Sequence, residues 1–208
     1  MSRVIHDISQ RLRPNIPVWP GDTPFGGKQT WKMAKGSPVN VSRLTLSTHT
    51  GAHADAPLHY SEGAPDIASV DLEPYLGECL VVDARLAVDA IEEVDLPNLN
   101  GAERVLFRTY DSFPHEAWQA GFTAISADTI RWLALHGVKL VGIDTPSIDP
   151  QESKTMDAHK AVLAADIRVL EGLVLDDIEP GRYELIALPL PIVGGDASPV
   201  RAVLRDVL

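Results

Sequence analysis

Apolar side chains along this chain fall into short runs, and the spacing inside each run separates strands from helices. From Val39 to Thr48 the residues alternate, with Val41, Arg43, Thr45 and Ser47 set against Ser42, Leu44, Leu46 and Thr48. That period of two predicts a strand. Val4–Ile8 reads as an edge or first strand. Four compact runs, Cys79–Val82, Arg104–Phe107, Lys139–Ile143 and Tyr183–Ala187, are rich in β-branched or large residues and predict buried strands. Ser126–His136 has helical spacing. Ser126 can cap it, Asp128 sits in its first turn, Ile130, Leu133 and Ala134 form an inner stripe, and Gly137 stops it. A shorter helix is predicted over about 157–164. The stretch 11–36 is rich in proline and glycine and reads as an irregular loop. Strands separated by helices imply a single α/β or α+β domain with a mixed sheet, spanning residues 1–208.

Composition narrows the partners more than the fold. The 208 residues are 45% hydrophobic and 23% charged, as in an ordinary globular chain with enough apolar material for a core. The formal net charge is −11, and no Lys/Arg cluster offsets it. Nucleic acid and anionic membranes are therefore unfavourable partners. No apolar run approaches the ~20 residues of a membrane-spanning helix. The opening MSRVIHDISQ lacks the apolar stretch of a secretory signal. Cys79 is the sole cysteine, which excludes an intrachain disulfide. These features together predict a cytoplasmic protein.

Chemistry concentrates in His49-Thr50-Gly51-Ala52-His53-Ala54-Asp55-Ala56-Pro57-Leu58-His59, where three of the seven histidines and an aspartate fall within eleven residues. Imidazole and carboxylate are the usual ligands of catalytic zinc and similar divalent ions. In a flat strand, four residues span about 13 Å, too far for His49 and His53 to share one ion. In a helix those two would share a face while Asp55 pointed elsewhere. Gly51 and Pro57 also oppose a continuous helix. The chain is therefore predicted to turn here, in a loop held by the end of the preceding strand.

The cluster needs distant partners to complete a coordination shell for two ions. His6 fits a satisfied strand residue, His136 a helix cap, and His115 a solvated loop. His159 opens the second helix. Glu171, between Leu170 and Gly172, is a carboxylate among apolar neighbours and needs a partner, either a metal or an ordinary salt bridge. Asp144 and Thr145 end a predicted strand, where a turn role is favoured over one in the pocket.

The run His49 to His59 has the form His-x-Gly-x-His-x-Asp-x-Pro-x-His and resembles the signature of the cyclase family of metal-dependent hydrolases. The resemblance extends over nearly the whole chain, through Pro17-Val18-Trp19-Pro20-Gly21-Asp22, Gly142-Ile143-Asp144-Thr145-Pro146-Ser147, Leu188-Pro189-Leu190-Pro191-Ile192 and Gly195-Asp196-Ala197-Ser198-Pro199-Val200-Arg201-Ala202. It implies a swivelling β/β/α fold and a homodimer. It implies two zinc ions per subunit: His49, His53 and Asp55 hold the first with Glu171, and His159 holds the second, with Asp55 and Glu171 bridging. Manganese or another divalent ion is compatible with the same ligands. His59 is implied as general acid/base, and Trp19 as a wall of the substrate pocket, although loop packing alone would also account for Trp19. The flanking segments resemble the branch that hydrolyses N-formyl-L-kynurenine, in tryptophan degradation, with water activated at the metal as nucleophile. A family member acting on isatin or a cyclic imide, and a non-catalytic metal-binding protein, are the alternatives.

Overall fold

The computed structural model describes residues 4–207. In chain order its strands are β1 (Ile5–Asp7), β2 (Gly26–Trp31), β3 (Val41–Thr45), β4 (His53–Asp55), β5 (Leu76–Asp83), β6 (Ala90–Ile91), β7 (Arg104–Arg108), β8 (Ala124–Ile125), β9 (Leu140–Ile143), β10 (Arg168–Glu171), β11 (Gly181–Ile186), β12 (Ala197–Pro199) and β13 (Val203–Asp206). The helices are a single turn α1 (Pro57–Tyr60), α2 (Ala127–Leu135) and α3 (Asp157–Ala165). Nine strands form one mixed sheet in the order β1-β13-β11-β5-β7-β9-β10-β4-β12. The four central strands β5, β7, β9 and β10 run parallel, and antiparallel strands flank them on both sides. Parallel neighbours need long crossovers, which α2 supplies between β7 and β9 and α3 between β9 and β10, while the segment carrying β6 connects β5 to β7. This is the mixed α+β domain that the strand and helix spacing predicts.

Alternation along each strand builds two cores. Val105, Phe107, Val141, Ile143 and Val169 face Ile130 and Leu133 of α2 and Val162 of α3. Leu106, Leu140 and Leu170 point the other way, into a core with Cys79, Val81, Leu185 and Leu204. Helix α2 forms as its pattern requires: Ser126 accepts a hydrogen bond from the Thr129 N–H, and the buried stripe includes Ile130 and Leu133.

Some expectations need correction. The stretch 11–36 is not loop throughout. It contains β2, which pairs with β3 in a hairpin apart from the main sheet, and a 3-10 turn at Met33–Lys35. The hairpin is almost wholly exposed, so no buried face imprints a pattern on its sequence. The Val39–Thr48 strand is shorter, Val41–Thr45, because the chain turns at 47–51. The metal motif is not a loop throughout either. His53–Asp55 form β4, buried between β10 and β12. Its period of two is present in the sequence, with Ala52, Ala54 and Ala56 on one face and His53 and Asp55 on the other, but the alanines make a faint apolar signal. Strands β10, β12 and β13 are absent from the sequence reading because each has only three or four residues, too few to establish a period.

The register of β4 and β10 positions the chemistry. Glu171 lies directly opposite His53, and Asp55 opposite Val169. All three polar side chains therefore occupy one face. Just beyond β10 the chain crosses the turn that precedes β4. Gly172 has φ +64°, and a Cβ there would lie 2.7 Å from the Gly51 carbonyl oxygen. Only glycine fits both the left-handed backbone and that approach. Gly172→Ala is expected to lower stability by about 1–3 kcal/mol and to separate Glu171 from His53. Urea denaturation reads the first effect, and the metal content of the purified variant reads the second.

Candidate metal centre

His49 lies in the tight turn before β4, where the Thr50 N–H bonds the Ser47 carbonyl and Gly51 takes φ +72°. The turn folds the His49 ring back to 4.9 Å from that of His53, centroid to centroid. The turn expected from the His49–His53 spacing is therefore present, one step ahead of the strand. His53 Nδ1 lies 2.8 Å from the Gly51 carbonyl oxygen and donates to it. That bond leaves Nε2 with its lone pair directed into the cluster, the arrangement by which outer hydrogen bonds orient a metal ligand.

The distant partners converge on the same point. His53 Nε2 is 3.3 Å from Glu171 Oε2 and 3.5 Å from Asp55 Oδ1. His49 Nδ1 is 3.2 Å from Asp55 Oδ1. On the far side His159 Nε2 is 3.3 Å from Asp55 Oδ2 and 3.6 Å from Glu171 Oε1. Each carboxylate thus turns one oxygen toward His49 or His53 and the other toward His159. His53, Asp55, His159 and Glu171 are all buried. Within this sealed cluster, His53 Nε2 and Asp55 Oδ1 make no hydrogen bond. Leaving such atoms buried and unpaired costs several kcal/mol, and a divalent cation between them removes that cost. The donor set, imidazole nitrogens with carboxylates and no thiolate, fits zinc or another borderline divalent ion.

Charges in the cluster are strongly coupled to one another. Burial pulls the His49 imidazole down, but Asp55 and then Asp196 outweigh it and raise the pKa to about 9. His159 behaves alike: burial opposes the charge, and Asp149 and Asp55 overcome it, raising the pKa to about 10. Burial would raise Asp55, yet the neighbouring imidazoles of His159 and His49 hold it well below the usual carboxylate range. The carboxylates therefore demand compensating positive charge. Protons and metal ions compete for the same lone pairs, so metal affinity falls as pH falls.

Two residues that the sequence did not single out hold the cluster in place. Asp149 Oδ2 sits 2.6 Å from His159 Nδ1, and its carboxylate also accepts the N–H groups of Ala158 and His159 at the start of α3. Asp196 Oδ2 lies 3.1 Å from His49 Nε2 and 3.5 Å from His59 Nδ1, while its Oδ1 accepts the Thr48 hydroxyl. Asp196 belongs to a segment quoted for the family resemblance, which marked the stretch but no role. Asp149 carried no signal, because nothing local distinguishes it from any turn aspartate.

His59 follows Pro57, the first residue of α1, and its side chain is 30% exposed. Its ring lies 4.3 Å from that of His49 and 5.8 Å from that of His159. It stands at the rim, over the cluster rather than inside it, although His49, Asp55 and His59 also bring donor atoms within 4.8 Å of one another. A cavity of about 350 Å³ opens beside it, lined by Trp19, Trp118, His49, His53, His59 and Glu171. Asp144 also borders the cavity but serves the turn, accepting the Thr109 hydroxyl and the N–H groups of Thr109 and Tyr110. Burial, opposed by those bonds, raises its pKa to about 6. Thr145 bonds the Ser147 carbonyl, again within the turn. His6 pairs with Asp206, His136 bonds the Trp132 carbonyl at the end of α2, and His115 is exposed, so none of these joins the cluster.

A buried pair of carboxylates ringed by imidazoles and opening on an aromatic cavity makes a candidate metal centre of the kind hydrolases use, on a mixed α+β sheet. Residues 6–150 match the family model described as "Putative cyclase", and the chain belongs to the cyclase family. His159 and Glu171 lie beyond the matched residues. The chain is 62% identical over 205 residues to a protein of Erythrobacter litoralis named kynurenine formamidase, covering 99% of this chain and 95% of the relative. It is 54% identical over 209 residues to a protein of the same name from Sphingopyxis alaskensis, covering all of both. A solved structure described as a potential metal-dependent hydrolase with cyclase activity superposes with a TM-score of 0.85 at 32% identity, over 99% of each chain.

Asp149 is the sole partner of His159 Nδ1 among the described residues. Asp149→Asn is expected to weaken divalent-ion binding about 10- to 100-fold, measured by competition with a chromophoric chelator.

Proposed function

We propose that this chain is a kynurenine formamidase, hydrolysing N-formyl-L-kynurenine to L-kynurenine and formate at a site for two zinc ions. The observation that carries the reading is the double-sided cluster: Asp55 and Glu171 each present one oxygen to the His49/His53 side and the other to His159, with His59 above them. The name borne by the relatives, kynurenine formamidase, supports the substrate. His49, His53 and Asp55 would hold one ion with Glu171, and His159 would hold the other, with Asp55 and Glu171 facing both sides. Divalent ions so held lower the pKa of water to near neutrality and polarise a carbonyl oxygen.

The chain's own groups account for the rest. Hydrolysis adds water across the formyl C–N bond, so one proton must leave water and one must reach the aniline nitrogen before it can depart. His59 stands at the rim of the cavity with a partly exposed imidazole, a group able both to accept and to donate a proton. Asp196, 3.5 Å from His59 Nδ1, orients the ring and leaves Nε2 for the substrate. Asp55 and Glu171 tie the charge of the centre to the sheet, so their geometry needs no rearrangement as an oxyanion develops. Trp19 contributes an apolar wall for the aryl group. The proposal takes the enzyme as a cytoplasmic homodimer, whose mass sedimentation equilibrium measures.

Absorbance-monitored turnover of N-formyl-L-kynurenine tests the reading. Activity is expected to vanish with a chelator and return on zinc add-back. Rapid hydrolysis of isatin with none of N-formyl-L-kynurenine would overturn it. His59→Ala is expected to keep both ions and to lose about 100-fold or more in kcat. Parallel loss of metal and activity reassigns His59 as a ligand. Glu171→Ala is expected to lose metal affinity, read by elemental analysis. Full occupancy with lowered stability alone reduces Glu171 to an ion-pair partner.

A further inference from the structure

We propose that Trp118 is a specificity-determining residue for the aryl half of the substrate, and that Gln151 is the positioning residue that sets its angle. This rests on the formamidase reading. The metal centre engages only the formyl amide, a group shared by every formamide. Discrimination for an aryl amine must therefore come from walls away from the reacting bond.

Three aromatic rings form such a wall. Trp19 and Trp118 meet edge to face, with centroids 5.3 Å apart and planes at 71°. Phe122 backs both, 6.2 Å from Trp19 and 6.3 Å from Trp118. Phe122 is buried, whereas both indoles border the cavity that also holds His59 and Glu171. An indole has one donor and no acceptor, so a single hydrogen bond fixes its in-plane orientation. Trp118 Nε1 makes that bond to Gln151 Oε1 at 2.8 Å. Gln151 comes from the loop that leads into α3, two residues after Asp149, which holds His159. The loop that orients His159 thus also orients the aromatic wall. A planar aryl group entering the cavity meets a wall of two indoles set at an angle to each other, which an alkyl chain matches less well.

Steady-state kinetics of the zinc-loaded enzyme test this, with L-kynurenine and formate as product inhibitors. Trp118→Ala is expected to raise KM for N-formyl-L-kynurenine, and Ki for L-kynurenine, about tenfold. The same variant is expected to keep kcat within about twofold and to leave Ki for formate, which has no ring, unchanged. Gln151→Leu is expected to raise KM about threefold, and Gln151→Glu, which keeps the acceptor, to restore it. Should Trp118→Ala fail to fold, the Gln151 pair carries the test alone. Unchanged KM in Trp118→Ala and Gln151→Leu overturns the inference, as does an equal rise in Ki for formate. Absence of wild-type turnover overturns the functional reading instead, and the aryl slot with it.

Discussion

Asp55 and Glu171 are buried side by side because β4 and β10 pair in one register, and two carboxylates in a dry interior cannot stay uncompensated. Glu171 stands opposite His53, and Asp55 lies two residues further along the same face. Everything around them answers that charge. His49 and His159 are pushed well above the ordinary imidazole range, and His53 is locked by the Gly51 carbonyl with its free nitrogen inward. The cluster favours positive charge, whether carried by protonated imidazole or by a bound cation. A one-residue slip of β4 against β10 would move the polar set to the opposite core and replace it with alanines.

The rest of the fold delivers side chains to that pair. The turn at 47–51 doubles the chain back so that His49 reaches His53 and Asp55 from before the strand. α1 begins at Pro57 and lifts His59 over it. α3 enters from the far side, its N-terminus capped by the same Asp149 that holds the His159 ring. Glycine at 51 and 172 lets the two ligand-bearing segments cross in backbone contact. Loops then flank the centre with Trp19 and Trp118, backed by Phe122, so that the polar floor and the aromatic wall belong to one cavity. The division of labour is physical: rigid strands hold the charges, and loops shape the space above them.

Legibility in the sequence tracked how local each signal was. Helix α2 was readable because its cap, stripe and stop lie within a dozen residues. Strands β5, β7 and β9 were readable as dense apolar runs. The hairpin β2–β3 is a pair of strands with no buried side, so half of it read as loop. Strand β4 is three residues long, and its alanine face was too weak to announce a strand. His159 and Glu171 drew attention as a histidine at a helix start and a carboxylate among apolar residues, but neither position alone separated a ligand from a salt-bridge partner.

The sequence by itself determined which chemistry was available: a His/Asp signature with no thiolate, an acidic chain ill-suited to nucleic acid, and a family resemblance carried by residues in a fixed order along the backbone. Those properties are set by residue type and near-neighbour spacing. Only the tertiary structure decided how the pieces meet. The 3.2–3.6 Å contacts of Asp55 and Glu171 with the imidazoles, the Asp149 and Asp196 supports, and the Trp118–Gln151 bond all join segments brought together by sheet register and loop packing. Distances across a fold depend on how every intervening element packs, and no local pattern encodes them.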